Sequence, residues 1–246
     1  MVTRLGTRVM NRMTRWRRQA PKPAIGRVSF GDLRRLEPIS RRWGYDRGRP
    51  IDRFYIERFF SQAADSIAGR VLEVGDDRYT RLFGTDRVQR SDVLHVTEGN
   101  PKATIVADLS RADHIPSNTF DCIILCQTLQ LIYDPAAAIA CIHRILAPGG
   151  VALATFPGIT QRSDAAWRDQ WYWSFTSASA GRLFGDVFGH NSMAVRAHGN
   201  VLTAISFLHG LAAEELAAGE LDYDDPEYEC VITVKATKPH TSEAAL

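Results

Sequence analysis

Apolar and polar positions along this chain group into short blocks that repeat a strand–helix rhythm from residue 70 onward. Val71–Val74 is a brief apolar run, Val88–Asp92 a second and Thr104–Ala107 a third. Phe120–Leu125 is a fourth, apolar on both faces as a central parallel strand requires. Ala136–Leu146 carries helical periodicity, broken at Pro148-Gly149-Gly150 before a fifth strand over Val151–Phe156. Downstream, the pattern predicts a helix over Ser177–Phe188, a strand over Met193–Ala197 and a helix from Gly199-Asn200 through Glu215. Tyr228–Ala236 alternates like an antiparallel edge strand, and the chain from Lys238 has a disordered composition. Upstream, Asp46–Phe60 reads as a loop and then a helix presenting Ile51, Phe54, Tyr55 and Phe59, covering the sheet or the site above it.

Repeated units of this length imply an α/β domain with a mostly parallel sheet, helices on both faces and ligands at the carboxyl ends of the strands. The turn after the first strand is the natural opening of a nucleotide-type cofactor site. It retains Gly75, but Asp77 and Tyr79 stand where such loops usually carry further glycines. About twenty residues on, Asp92 is spaced to accept both ribose hydroxyls of an adenosine; a turn or helix-cap role fits it equally. Asp108 ends the third strand, where it can accept from an adenine amino group or cap the next segment.

Composition narrows the setting. With 45% of its 246 residues hydrophobic, the chain can bury a core, and no apolar run approaches the ~18 residues of a membrane span. Cys122, Cys126, Cys141 and Cys230 show no metal-type spacing, which points to no metal and to a reduced, cytoplasmic setting. The net charge of +2 conceals an asymmetry: residues 1–53 hold fifteen basic and four acidic side chains, leaving 15 basic and 24 acidic for the rest. Within residues 2–18, Val2, Leu5, Val9, Met13 and Trp16 fall on one helical face beside Arg4, Arg8, Arg12, Arg15 and Arg18. That is the pattern of a basic amphipathic helix, suited to peripheral contact with an anionic membrane face; a frayed tail, a helix on another subunit and an organellar leader are the competing readings. Pro21-Lys22-Pro23 ends it.

The run Asn118–Pro135 and the run His143-Arg-Ile-Leu-Ala-Pro-Gly-Gly-Val151 resemble the fourth- and fifth-strand signatures of class I S-adenosylmethionine-dependent methyltransferases, nearest the broad type 11 group. The resemblance covers roughly residues 65–160. It implies a Rossmann-like seven-stranded fold and S-adenosyl-L-methionine as cofactor. By position it implies cofactor contacts from Glu73, Gly75, Asp77, Asp92, Asp108, Leu109 and Gln127; by its charge Asp77 would repel the ligand's carboxylate but can pair with its ammonium. The eroded glycine loop and Gln130, where many members place histidine, are its departures.

A hydroxyl acceptor needs a base, for which His95, Tyr133, Asp164 and His198 are candidates. The acceptor pocket is expected from Gln130 and the aromatic run 164–176, with Trp167, Trp171 and Tyr172 as a stacking surface for a sugar ring or an apolar acceptor. No Asn/Asp-Pro-Pro-aromatic tetrad follows the fourth strand, which disfavours nucleic-acid bases as acceptors. The expected organisation is an arm over 1–35 and a methyltransferase domain over 36–238, with a tail over 239–246. Within the domain, 36–64 forms a cap helix, 65–160 the cofactor core and 161–238 the acceptor lid and last strands. O-methylation of a glycan, nucleotide-sugar or lipid-linked acceptor is the leading expectation. A methyltransferase of hydrophobic metabolites, or a cofactor-free partner protein that keeps the fold, are the alternatives.

Overall fold

The computed structural model describes residues 22–162 and 168–240. The chain divides into two units, Met1–Glu37 and Pro38–Leu246. In the first, the described residues 22–37 include one short turn of helix at Gly31–Leu33, with the Arg34 guanidinium 4.8 Å above the Phe30 ring. The basic arm over 2–18 lies outside the described residues, as does the tail from 241.

The second unit is built on seven strands: β1 (Gly69–Val74), β2 (Val88–His95), β3 (Ile105–Val106), β4 (Phe120–Cys126), β5 (Leu146–Pro157), β6 (Met193–His198) and β7 (Val231–Thr237). They form one sheet in the order β3-β2-β1-β4-β5-β7-β6. β1 to β5 run parallel, while β7 pairs antiparallel with β5 and β6. Strand order therefore reverses between β1 and β4, and the crevice at their carboxyl ends is the switch point where open α/β sheets bind ligands.

The helices cover both faces because successive strand residues point to opposite sides. In β4, Cys122 and Ile124 pack with Ile51, Tyr55, Ile56 and Phe60 of α1 (Ile51–Gln62). Their neighbours Ile123 and Leu125 pack on the other face with Ile139 and Ile142 of α2 (Pro135–Ile145) and Phe184 and Phe188 of α3 (Ser177–Phe188). Fully burying each such side chain contributes about 1.5–3 kcal/mol. Helix starts are capped: Asp134 accepts from the Ala137 N–H with Pro135 in the first turn, and Thr176 and Ser179 cap each other reciprocally.

Four sequence expectations are corrected. β2 continues past Asp92 to His95, because Val93 and Leu94 still pair with β1. β5 starts at Leu146, ahead of the Pro-Gly-Gly element, where Leu146 already pairs with Phe120; a Cβ on Gly150 would come within 2.8 Å of the Ala147 carbonyl oxygen. The helix expected from residue 199 to 215 is short: α4 (Val201–Leu208) ends at a turn through Gly210, at φ +69°, and α5 (Ala218–Leu221) follows separately. β7 is interior and β6 is the edge. Lys238 is also tied down, its ammonium donating to Asn118 Oδ1 and the Leu146 carbonyl, both at 2.8 Å. Among the described residues, no helix is long and apolar enough to cross a membrane.

Candidate active site

A cavity of about 710 Å³ opens at the carboxyl ends of the parallel strands. β1 and the turn after it contribute Val74 and Gly75, β2 and the residue after it contribute Leu94, His95 and Val96, and the segment after β3 contributes Ala107, Asp108 and Leu109. Cys126 lines it from the end of β4, Gln127 from just beyond, and Pro157 from β5, while Asp52 and Arg53 enter from the first turn of α1. Gln130, Tyr133, Trp171 and Tyr172 complete the wall on the far side.

The turn after β1 departs most from the expected cofactor loop. Gly75 sits at φ +94°, in the left-handed region that favours glycine, and a Cβ there would face open space. Beyond it there is no long helix, only a wide turn at Thr80–Gly84 and a tight one at Thr85–Arg87. Four backbone donors of this segment are already engaged. Gly75 N–H bonds the Leu94 carbonyl at 2.9 Å, and Arg78 N–H bonds Asp76 Oδ1 at 3.0 Å. The Glu73 carboxylate accepts from the N–H groups of Tyr79 and Thr80 and from the Thr80 hydroxyl. Burial pushes the Glu73 carboxyl up to about 7, against the lowering effect of those three bonds.

Glu73 is therefore a buried brace that folds the loop back on β1, and it does not line the cavity. Asp77 lies outside the lining as well, paired with Arg81 at 3.1 Å and Lys102 at 3.2 Å, which corrects its expected contact with a ligand ammonium. Tyr79 is buried against Phe60 and Phe83. Its hydroxyl accepts from Arg53 Nη1 at 3.0 Å, and the same nitrogen reaches Cys126 Sγ at 3.1 Å. Arg53 thus lies over the ends of β1 and β4, while its Nε is buried with no hydrogen-bond partner.

Asp92 is also corrected. It lies three residues before the end of β2, with its carboxylate held by Arg70 at 2.7 Å, Arg90 at 3.1 Å and the Thr104 hydroxyl at 3.1 Å. The residues of β2 that reach the cavity are Leu94 and His95, with Val96 just beyond the strand, and Asp92 is not among the lining residues. Asp108 and Leu109 do line it; Asp108 Oδ1 accepts from the Ser110 N–H and hydroxyl, which stiffens the turn.

Gln127 and Gln130 both reach the cavity. Gln127 takes φ +49°, and its Nε2 is buried without a partner. Gln130 donates through Nε2 to the Gln127 carbonyl at 2.7 Å, leaving its own Oε1 buried and unpaired. The Gln130 backbone carbonyl accepts from Tyr172 N–H at 2.9 Å and Trp173 N–H at 3.3 Å, fastening the aromatic strap to the end of β4. Tyr133 meets Tyr172 edge-on at 5.3 Å, and Trp171 Nε1 is a further buried donor without a partner.

Of the candidate bases, His95 and Tyr133 line the cavity. His198 does not: it stacks on Tyr55, bonds Thr233 at 3.1 Å and faces Asp224 at 3.6 Å, a structural setting. Asp164 and Trp167 lie outside the described residues. Asp52 and Arg53 were missed as site residues; their signal was the helix expected to cover the site. Among the described residues, no cluster of three His, Cys, Asp or Glu side chains could hold a metal ion.

Residues 66–154 match the family model described as a methyltransferase domain. This stretch matches a methyltransferase domain, and the sheet it helps to build has the Rossmann-like seven-stranded order. An S-adenosylmethionine-dependent methyltransferase from Archaeoglobus fulgidus shares the fold at 9% identity, with a TM-score of 0.52 over 75% of this chain and 93% of that one. A putative methyltransferase from Bacillus halodurans C-125 aligns at 11% identity and a TM-score of 0.48, covering 75% and 98% of the two chains. No curated protein matches the sequence.

The methyltransferase cofactor fits the residues present at both of its ends. Leu94, Ala107 and Leu109 offer an apolar slot for a purine, beside the Asp108 carboxylate. At the switch point, the open space above Gly75 lies in the same cavity as the unpaired nitrogens of Arg53 and Gln127.

Proposed function

We propose that the protein O-methylates an oxygen-rich ring acceptor of glycan type, whether a free glycan, a nucleotide-sugar or a lipid-linked sugar. One observation carries this reading. Gln127 Nε2, Gln130 Oε1 and Trp171 Nε1 are buried and unpaired among side chains that line the aromatic-walled cavity. Each orphaned group costs about 1–3 kcal/mol unless a ligand or water pairs it. Two donors and one acceptor beside aromatic faces match a hydroxylated ring, whose edges hydrogen-bond while its face stacks.

S-adenosylmethionine supplies a sulfonium-activated methyl group, so the chain's part is to bind, align the nucleophile and keep water out. Leu94, Ala107, Asp108 and Leu109 hold the adenine, and His95 and Val96 flank the ribose. Trp171 and Tyr172 close over the acceptor, anchored by Gln130. Tyr133 is the ionisable ring on the acceptor side and stands closest in role to a proton acceptor.

The test is methyl transfer from labelled S-adenosylmethionine to nucleotide-sugars, polyprenyl-linked sugars and free glycans, run beside apolar phenols and fatty acids. Transfer to the sugars supports the reading. Transfer confined to the apolar set would instead favour a hydrophobic-metabolite methyltransferase, which the apolar wall formed by Leu131 and Ile132 also accommodates.

A further inference from the structure

Four of the glycine loop's backbone donors, those of Gly75, Arg78, Tyr79 and Thr80, are occupied, which leaves it little with which to hold the amino-acid end of the cofactor in the usual way. Glu73 takes the N–H groups of Tyr79 and Thr80, Asp76 takes that of Arg78, and the Gly75 N–H belongs to the sheet. The Gly75 carbonyl is taken too, by Asn100 Nδ2 at 2.7 Å. The usual partner of such a loop, a helix start with free amides and a positive dipole end, is replaced by irregular turns. Asp77 is neutralised by Arg81 and Lys102 away from the cavity.

What stands at this end instead comes from α1. Arg53 is fixed by two contacts that belong to the strands of the switch point: the Tyr79 hydroxyl after β1 and the Cys126 sulfur at the end of β4. Its buried Nε has no hydrogen-bond partner, and the Asp52 carboxylate lies 3.5 Å away, too far for a normal hydrogen bond. Both side chains line the same cavity as Gly75 and Gln127.

We propose that the Asp52–Arg53 pair of α1 grips the zwitterionic end of S-adenosylmethionine in place of the eroded glycine loop, Arg53 binding the carboxylate and Asp52 the ammonium. This rests on the cofactor reading above. A guanidinium suits this role, being permanently charged, planar and able to donate two parallel bonds to a carboxylate. Tyr79, which interrupts the glycine pattern, has a use in this arrangement: buried and neutral, its hydroxyl holds Arg53 over the crevice.

The test compares three ligands by calorimetry on the full chain: S-adenosylhomocysteine, its decarboxylated analogue, which keeps the ammonium, and 5′-methylthioadenosine. Arg53→Met should weaken S-adenosylhomocysteine by roughly ten- to a hundredfold and the analogue by less than about threefold. Asp52→Asn should weaken both, because both carry the ammonium, while 5′-methylthioadenosine, which lacks the whole amino-acid end, should bind both variants like the wild type. Equal losses for all three ligands would mean that Arg53 only supports the fold, and no loss for any would mean that it takes no part; either overturns the proposal. Wild-type binding to none of the three would overturn the cofactor reading itself. Tyr79→Phe, which keeps the ring packing, should reproduce a weaker form of the Arg53→Met pattern, and an unchanged S-adenosylhomocysteine affinity would remove Tyr79 from the arrangement.

Discussion

Arg70 donates through Nε to the Asp92 carboxylate at 2.7 Å, tying β1 to β2 below the strand-end cavity. Asp92 is only 2% exposed and also accepts from Arg90 and Thr104. Burial pushes its carboxyl up, but those three partners outweigh burial and hold it below the ordinary carboxylate range.

Asp92 is therefore expected to stabilise the fold and not to bind ribose. Asp92→Asn should cost about 1–3 kcal/mol in denaturant unfolding and leave S-adenosylhomocysteine affinity within about twofold of wild type. Because its folded pKa is lowered, its stabilisation is present above the unfolded value of roughly 3.9 and is lost as pH falls through the lower folded value. A large affinity loss in a stably folded variant would restore the ribose role.

Glu73 has the opposite sign. Its carboxyl is raised to about 7 in the folded protein, above the unfolded value of roughly 4.3. Its contribution is fully present below the unfolded value and is lost as pH rises through the folded one. Unfolding free energy should fall by on the order of 1–3 kcal/mol between about pH 4.5 and pH 7.5 through this group. Glu73→Gln should flatten that slope, and an unchanged slope would contradict the assignment.

The aromatic strap should act on the acceptor and not on the cofactor. Trp171→Phe removes one donor and keeps a flat ring, so the acceptor KM should rise about tenfold with S-adenosylhomocysteine affinity unchanged. Tyr133→Phe should lower kcat more than KM if its hydroxyl handles the acceptor proton. A pure KM effect would leave Tyr133 as a stacking ring alone.

Gly75→Ala tests the turn itself. Its φ of +94° strains any other residue, although a Cβ there meets nothing within 4 Å. The cost should be about 1–2 kcal/mol of stability by chemical denaturation, from backbone strain alone. A stability equal to wild type would show that the turn has another accessible conformation.

The sheet was legible because its central strands are buried on both faces and announce themselves as apolar runs: Cys122–Cys126 needed no partner to be recognised. Position within the sheet was not legible. β7 alternates as an edge strand would, yet pairs on both sides, since pattern reports burial and not neighbours. Asp92 shows how spacing misleads: about twenty residues after a glycine turn is the strand end only if the strand stops there, and here β2 runs on through His95. Asp77 was placed by motif position, and the long-range partner that draws it away, Lys102, lies 25 residues on and carries no local signal. Arg53 escaped for the same reason. It was one arginine among fifteen basic residues in the first 53, and only the fold sets it over β1 and β4.

The central claim, that the strand-end cavity binds S-adenosylmethionine despite its reduced glycine loop, is tested most directly by calorimetric titration of the wild-type protein with S-adenosylhomocysteine. The structure predicts saturable one-to-one binding with a dissociation constant in roughly the micromolar range. The absence of any binding heat at millimolar ligand, in a protein shown to be folded, would contradict it.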